Sequence, residues 1–143
     1  MNSLSKQSNP LFFKAIMANA LFSIVCAGLM IVFNRELSTP ILPGSAIDLG
    51  LLGFLLLLFA AWLLYLTGRN DVSRSDAWAI VIGDVGWVLF TEFSLFYYHA
   101  HFSVAGLVLT GLTGLVVAVL AGLQTVSLLK ENKPGASALG GSA

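Results

Sequence analysis

Charge is scarce in this sequence: 10% of its residues are Asp, Glu, Lys or Arg, against about a quarter in an ordinary soluble domain. Seven basic and seven acidic residues cancel, so no net positive charge argues for binding a nucleic acid, and no such partner is expected. Cys26 is the single cysteine. One thiol excludes an internal disulfide, a paired-cysteine redox motif and a cysteine-rich metal knuckle. The two histidines, His99 and His101, lie together in a short turn and not deep in an apolar run, so an axial haem ligand is not expected. His-Glu-x-x-His, Gly-x-Ser-x-Gly and a Gly-rich phosphate loop are all missing. No cofactor is expected, and these absences weigh against an enzyme.

What the chain has is apolar bulk. The hydrophobic fraction is 57% and the mean hydropathy +0.90. A small water-soluble domain still exposes much of its surface, so 143 residues of this composition need lipid as their solvent. Four apolar runs are separated by polar or Pro/Gly-containing connectors. Asn9-Pro10 is a helix start, because Asn caps and Pro suits the first helical position. The predicted helices are 10–33, 46–67, 76–98 and 102–129. Each has at least the roughly 20 residues that a bilayer core demands, and the longest fits by tilting. None shows the period-two alternation of a membrane barrel. The predicted fold is all-α, a polytopic four-helix transmembrane bundle of up-down topology.

Residues 1–9 read as a mobile polar segment and 130–143 as a disordered tail with Pro134 and several Gly and Ser residues. Residues 34–45, with Pro40, Pro43 and Gly44, read as a loop. Ser45 and Asp48 have capping-box spacing ahead of the second helix, and Gly68 is its expected terminator. Ser75 or Ser73 is the expected cap of the third. Lys6 and Lys14 before an apolar stretch have the layout of a cleaved signal. The stretch from Leu11 to Phe33 is about 23 residues, longer than a signal core, so a retained helix is expected.

Lys6, Lys14, Arg69, Arg74, Lys130 and Lys133 fall on one side of such a bundle and Arg35 alone on the other. The positive-inside rule then puts both termini in the cytoplasm of a cell membrane, the inner membrane in a Gram-negative cell. Trp62, Tyr65 and Trp78 near one boundary and Tyr97 and Tyr98 near the other suit interfacial belts.

Gly106, Thr110, Gly114, Ala118 and Gly122 place small residues every four positions along the fourth helix. Ala15, Asn19, Ser23 and Ala27 do the same on the first. Such stripes let helices approach closely. They predict a seam between helices one and four, with a homodimer contact as the competing reading.

Two acids, Asp84 and Glu92, interrupt the third helix. A carboxylate at the bilayer centre costs about 2.5–3.5 kcal/mol on insertion scales, so both are expected to face protein or trapped water. At 100° per residue, Asp84 and Thr91 nearly coincide, with Trp87, Val88 and Glu92 close by on the helical wheel. By depth, Asn19 and Gln124 come level with Asp84. The predicted buried cluster is therefore Asn19, Asp84 and Gln124, with Trp87 offering its indole N–H. Glu92 has Thr110, Tyr98 or the histidines within reach. His99 and His101 with Asp48 and Glu36 carry metal-binding chemistry, but an interfacial turn explains them better, and no metal is expected.

In length and span number the chain resembles the small multidrug-resistance exporters, which use one membrane-embedded Glu for proton exchange. That Glu lies in the first helix of the family, where this chain has Asn19, and the acids here are in the third. The resemblance therefore carries no activity over. The expected role is an accessory or structural component of a membrane complex, with the bilayer, a second copy or a larger assembly as partners. One alternative is a proton- or ion-coupled transporter or channel subunit using Asp84 and Glu92. A second is a membrane enzyme acting on a lipid or quinone, with the two carboxylates as acid and base.

Overall fold

The structure is a computed structural model that describes residues 3–41 and 48–131. It is all-α apart from one short ribbon. The elements run β1 (Ser3–Ser5), α1 (Pro10–Val32), α2 (Asn34–Ile41), α3 (Leu49–Thr67), β2 (Asp71–Ser73), α4 (Arg74–Tyr97), a single 3-10 turn (His99–His101) and α5 (Val104–Glu131). Four of these helices, α1, α3, α4 and α5, are long and apolar enough to cross a membrane. At 1.5 Å per residue the 19 residues of α3 reach about 29 Å, close to one hydrocarbon thickness, whereas the 28 of α5 reach about 42 Å and require tilt.

The distribution of side chains is that of a membrane protein. Large apolar residues face outward all round: Phe96 is 83% exposed, Val104 79% and Ile82 67%. Three polar residues from the middle stretches of the same helices are inside, with Asn19 1%, Asp84 2% and Gln124 0% exposed. Water would punish this arrangement; lipid favours it, because unpaired polar groups are what hydrocarbon excludes. The chain is a multi-pass membrane protein.

Two helix starts are capped by residues expected to cap them. The Asn9 side chain accepts from Phe12 N, with Pro10 at the first helical position. Ser73 Oγ accepts from Asp76 N. Asp48 is itself the cap of α3, accepting from Gly50 N at 2.8 Å and Leu51 N at 3.4 Å. The expected capping box is corrected by this: Asp48 is extended and precedes the first helical residue, Leu49, instead of standing at the third position of a helix that starts at 46. Pro43, Gly44, Ser45 and residues 132–143 of the expected tail lie outside the described residues.

Two further expectations are corrected. The segment 34–45 is not all loop: Asn34–Ile41 forms α2, with Leu37 N bonded to Phe33 O at 2.8 Å. Pro40 has no N–H to bond the carbonyl of Glu36, four residues before it, and α2 ends one residue later, at Ile41. Residues 3–9 of the expected mobile segment 1–9 are not a free end either. Ser3–Ser5 pairs antiparallel with Asp71–Ser73, Leu4 opposite Val72, and both of these side chains are buried. Burying that pair and bonding Lys6 N to Asn70 O at 3.0 Å fixes the segment beneath the helices.

α1 packs along α3, α4 along α5, and α1 also meets α5. α1 and α3 approach closely at Gly53, where an added Cβ would stand 2.9 Å from both the Ala27 carbonyl oxygen and Met30 Cβ. Ala27, in the α1 stripe, thus serves the α1–α3 contact. The fourth-helix stripe does not form one seam with α1. A step of four residues turns 400°, a drift of 40° per step, so the stripe winds around α5. Gly106 and Gly114 are buried, Gly114 lies against Thr91 of α4, and nothing stands within 4 Å of a Cβ placed on Gly122. Val117, Ala121, Gln124 and Leu128, spaced by threes and fours, form the buried face instead.

The interior is uneven from end to end. At the end carrying β1 and β2, Phe12, Ile16, Leu63, Leu66, Ile80 and Leu128 pack into one buried cluster. Beyond it, toward the 3-10 turn, the helices enclose two cavities.

Candidate functional site

Asp84 lies on the inward face of α4, in register with buried Ala77, Ile80, Thr91 and Ser94, the three-and-four spacing that keeps side chains on one side of a helix. Asn19 reaches it from α1. Its Nδ2 donates to Asp84 Oδ1 at 2.8 Å and to Oδ2 at 2.7 Å. Charge-assisted hydrogen bonds of this length are the stronger kind, and this pair ties α1 to α4 across the interior. Gln124 of α5 adjoins the same carboxylate. It is fully buried, yet neither its Oε1 nor its Nε2 has a hydrogen-bond partner among the described residues. The predicted cluster of Asn19, Asp84 and Gln124 comes together in space, with only its first two members bonded.

Above this pair is a cavity of about 220 Å³. Asn19, Ser23 and Asp84 provide polar atoms at its deep end, while Phe22, Leu55, Leu56, Phe59 and Val117 make apolar walls. Leu55 and Gly83 line it and are themselves exposed, so it opens sideways between α3 and α4. A second cavity of about 120 Å³ continues toward the 3-10 turn, past Phe90, Thr91 and Ser94 to Tyr98. Met30, Trp87 and Thr113 line both. Trp87 is thus part of the site, bordering both chambers, and no hydrogen bond joins it to Asp84.

Glu92 is a correction. It is exposed, lines neither of these cavities and has no hydrogen-bond partner among the described residues. The cause is angle and depth. Eight residues beyond Asp84 it has turned about 80° away from the inward face, and it lies about 9 Å from the end of the span at Tyr98. Its carboxylate leans over α5, with Oε1 3.8 Å from the place of a Cβ on Gly114. The two acids therefore do not share a chamber.

Phe59, Gly83, Cys26, Met30 and Thr113 line the first cavity and were not singled out from sequence. Thr113 carried the one legible hint, a hydroxyl inside an apolar run, and its Oγ1 bonds back to Leu109 O at 2.8 Å. Among the described residues no three His, Cys, Asp or Glu side chains group as a metal site. His99 Nδ1 instead lies 3.1 Å from Phe96 O. No protein-family model, curated protein or solved structure matches the chain.

Proposed function

We propose that this protein binds a lipid-soluble molecule within the membrane, taking the polar head of that molecule to Asp84 and its apolar body into the adjoining cavities. The observation that carries the reading is the Asp84–Asn19 pair at the deep end of an apolar, sideways-open chamber. A static network that merely fixed helix register would be enclosed by packing; here the polar end of the network meets empty space. The walls are too apolar for an aqueous ion path, which requires polar lining groups. A carboxylate at the end of an apolar chamber complements a cationic head. From Asp84 to the level of Ser94 is about 15 Å along α4, room for an alkyl chain of roughly ten carbons.

Cys26 lines the chamber and is the single cysteine, so it reports occupancy. In lipid nanodiscs, labelling of Cys26 by N-ethylmaleimide should be slowed by decylamine and not by decanol or decanoate. Asp84→Asn should abolish the protection. Equal protection by all three, or none by decylamine in the wild type, removes this reading. The carrier version, in which Asp84 exchanges the head for a proton or ion, predicts pH-gradient-driven uptake of decyltrimethylammonium, whose fixed charge prevents passive entry, into liposomes, and Asp84→Asn should eliminate it.

A second reading, an accessory subunit of a membrane complex, is favoured by Glu92. A carboxylate within a span, facing outward with no partner among the described residues, suits a neighbouring transmembrane helix bearing Lys or Arg at that depth. Beside it, the α4–α5 groove at Val85, Leu89, Ala118 and Gly122 offers the smooth surface such a helix would use. Mild-detergent purification should retain a partner that Glu92→Gln loses. A partner retained equally by both proteins counts against the role of Glu92.

A further inference from the structure

We propose that the groove between the start of α1 and the end of α3 seats the phosphate of an anionic phospholipid, from the leaflet on the side of β1 and β2. A cavity of about 240 Å³ there is bounded by Lys6, Pro10, Phe13, Lys14, Met17 and Thr67. Two ammonium groups share one concavity, and neither is ion-paired among the described residues. Lys6 Nζ donates to the Thr67 carbonyl at 3.4 Å, a long bond that leaves its other hydrogens for an incoming acceptor. The backbone holds Lys6 in place, because its N–H donates to Asn70 O beside the ribbon. Asp71, opposite Ser5 in that ribbon, is not among the residues that bound the groove.

The groove is apolar beneath its lysines. Phe13 is buried at its floor, Met17 is 39% exposed, and Leu21, one turn on, is 55% exposed. Phe13, Met17 and Leu21 follow each other at steps of four along α1, which makes a strip running from the headgroup level into the hydrocarbon. Lys14 is about 6 Å along the axis from Pro10, still within the headgroup region. A free phosphate would use the lysines and leave the strip idle; a phospholipid uses both. This site is separate from the Asp84 chamber and does not depend on its function.

The full chain in mild detergent, titrated with phosphatidylglycerol and read by native mass spectrometry, should bind that lipid in preference to phosphatidylcholine. Lys6→Gln with Lys14→Gln should weaken phosphatidylglycerol binding about thirtyfold, the loss expected for two basic residues near an anionic leaflet. The paired Lys→Arg substitutions should retain it, as should Lys130→Gln, which removes a charge outside the groove. Inorganic phosphate at millimolar concentration should not displace the lipid. Equal binding of the two lipids, equal weakening by Lys130→Gln, or full displacement by inorganic phosphate would each overturn the assignment.

Discussion

Removing Asn19 should unsettle the protein through Asp84, and the size of the effect follows from the geometry. One amide nitrogen donates to both carboxylate oxygens at 2.7 and 2.8 Å, between residues only 1% and 2% exposed. A hydrogen bond to a charged group contributes about 1.5–3 kcal/mol in water-soluble proteins. Inside bilayers the measured coupling of a polar pair averages about 0.6 and reaches about 1.7 kcal/mol, because the unfolded chain also finds partners there. Two short bonds shared by one nitrogen place this pair near the upper figure. A double-mutant cycle of Asn19→Ala and Asp84→Ala should therefore give a coupling of about 1.5 kcal/mol. Asn19→Ala alone should cost about 2–3 kcal/mol, since it leaves a buried carboxylate without its donor. Reversible unfolding by added SDS in mixed micelles measures both quantities. Additivity within about 0.5 kcal/mol would refute the reasoning, because it would mean that the two residues do not interact in the folded protein.

Gln124→Met should be neutral or stabilise by about 1 kcal/mol in the same assay, because the replaced amide is buried with no partner and its shape is retained; a loss above 1 kcal/mol would mean that the amide is bonded after all. Gly53→Leu should destabilise by at least about 2 kcal/mol, whereas Gly122→Leu should change little, since the Cβ at 53 meets the Ala27 carbonyl oxygen at 2.9 Å and the Cβ at 122 meets nothing within 4 Å. Similar effects of the two would contradict the assigned helix contacts. Leu4→Asp should release the ribbon, seen as faster hydrogen exchange of the Asp71–Ser73 amides with the helices unchanged.

Hydrophobic length located all four spans, because a bilayer demands long uninterrupted runs and few other structures do. Ends came within a few residues wherever a cap spoke for itself, as with Asn9-Pro10 and Ser73. The ribbon was not legible: two segments of 3 residues leave no periodicity, and their pairing depends on where the helices place them. Nor was α2, since Pro40 argues against a helix when its position within the helix is unknown. The Asp84–Asn19 contact was readable from depth and angle together. Glu92 was misjudged by treating every intramembrane acid as buried, when about 80° of rotation and closeness to an interface were enough to turn it outward. The cavities were beyond sequence reasoning altogether, because empty space is set by which helices approach closely, and small-residue stripes that wind around a helix do not name their partner.

Magic-angle-spinning NMR in lipid bilayers, with ¹⁵N in the Asn19 side chain and ¹³C in the Asp84 carboxyl, addresses the central claim without perturbing the chain. An inward-facing Asp84 held by Asn19 across α1 and α4 predicts strong nitrogen–carbon dephasing, at the separation of about 3.1 Å that contacts of 2.8 and 2.7 Å to the two oxygens of one carboxylate impose. Absence of dephasing, with the two groups far beyond hydrogen-bonding range, would mean that α4 does not turn this acid toward α1.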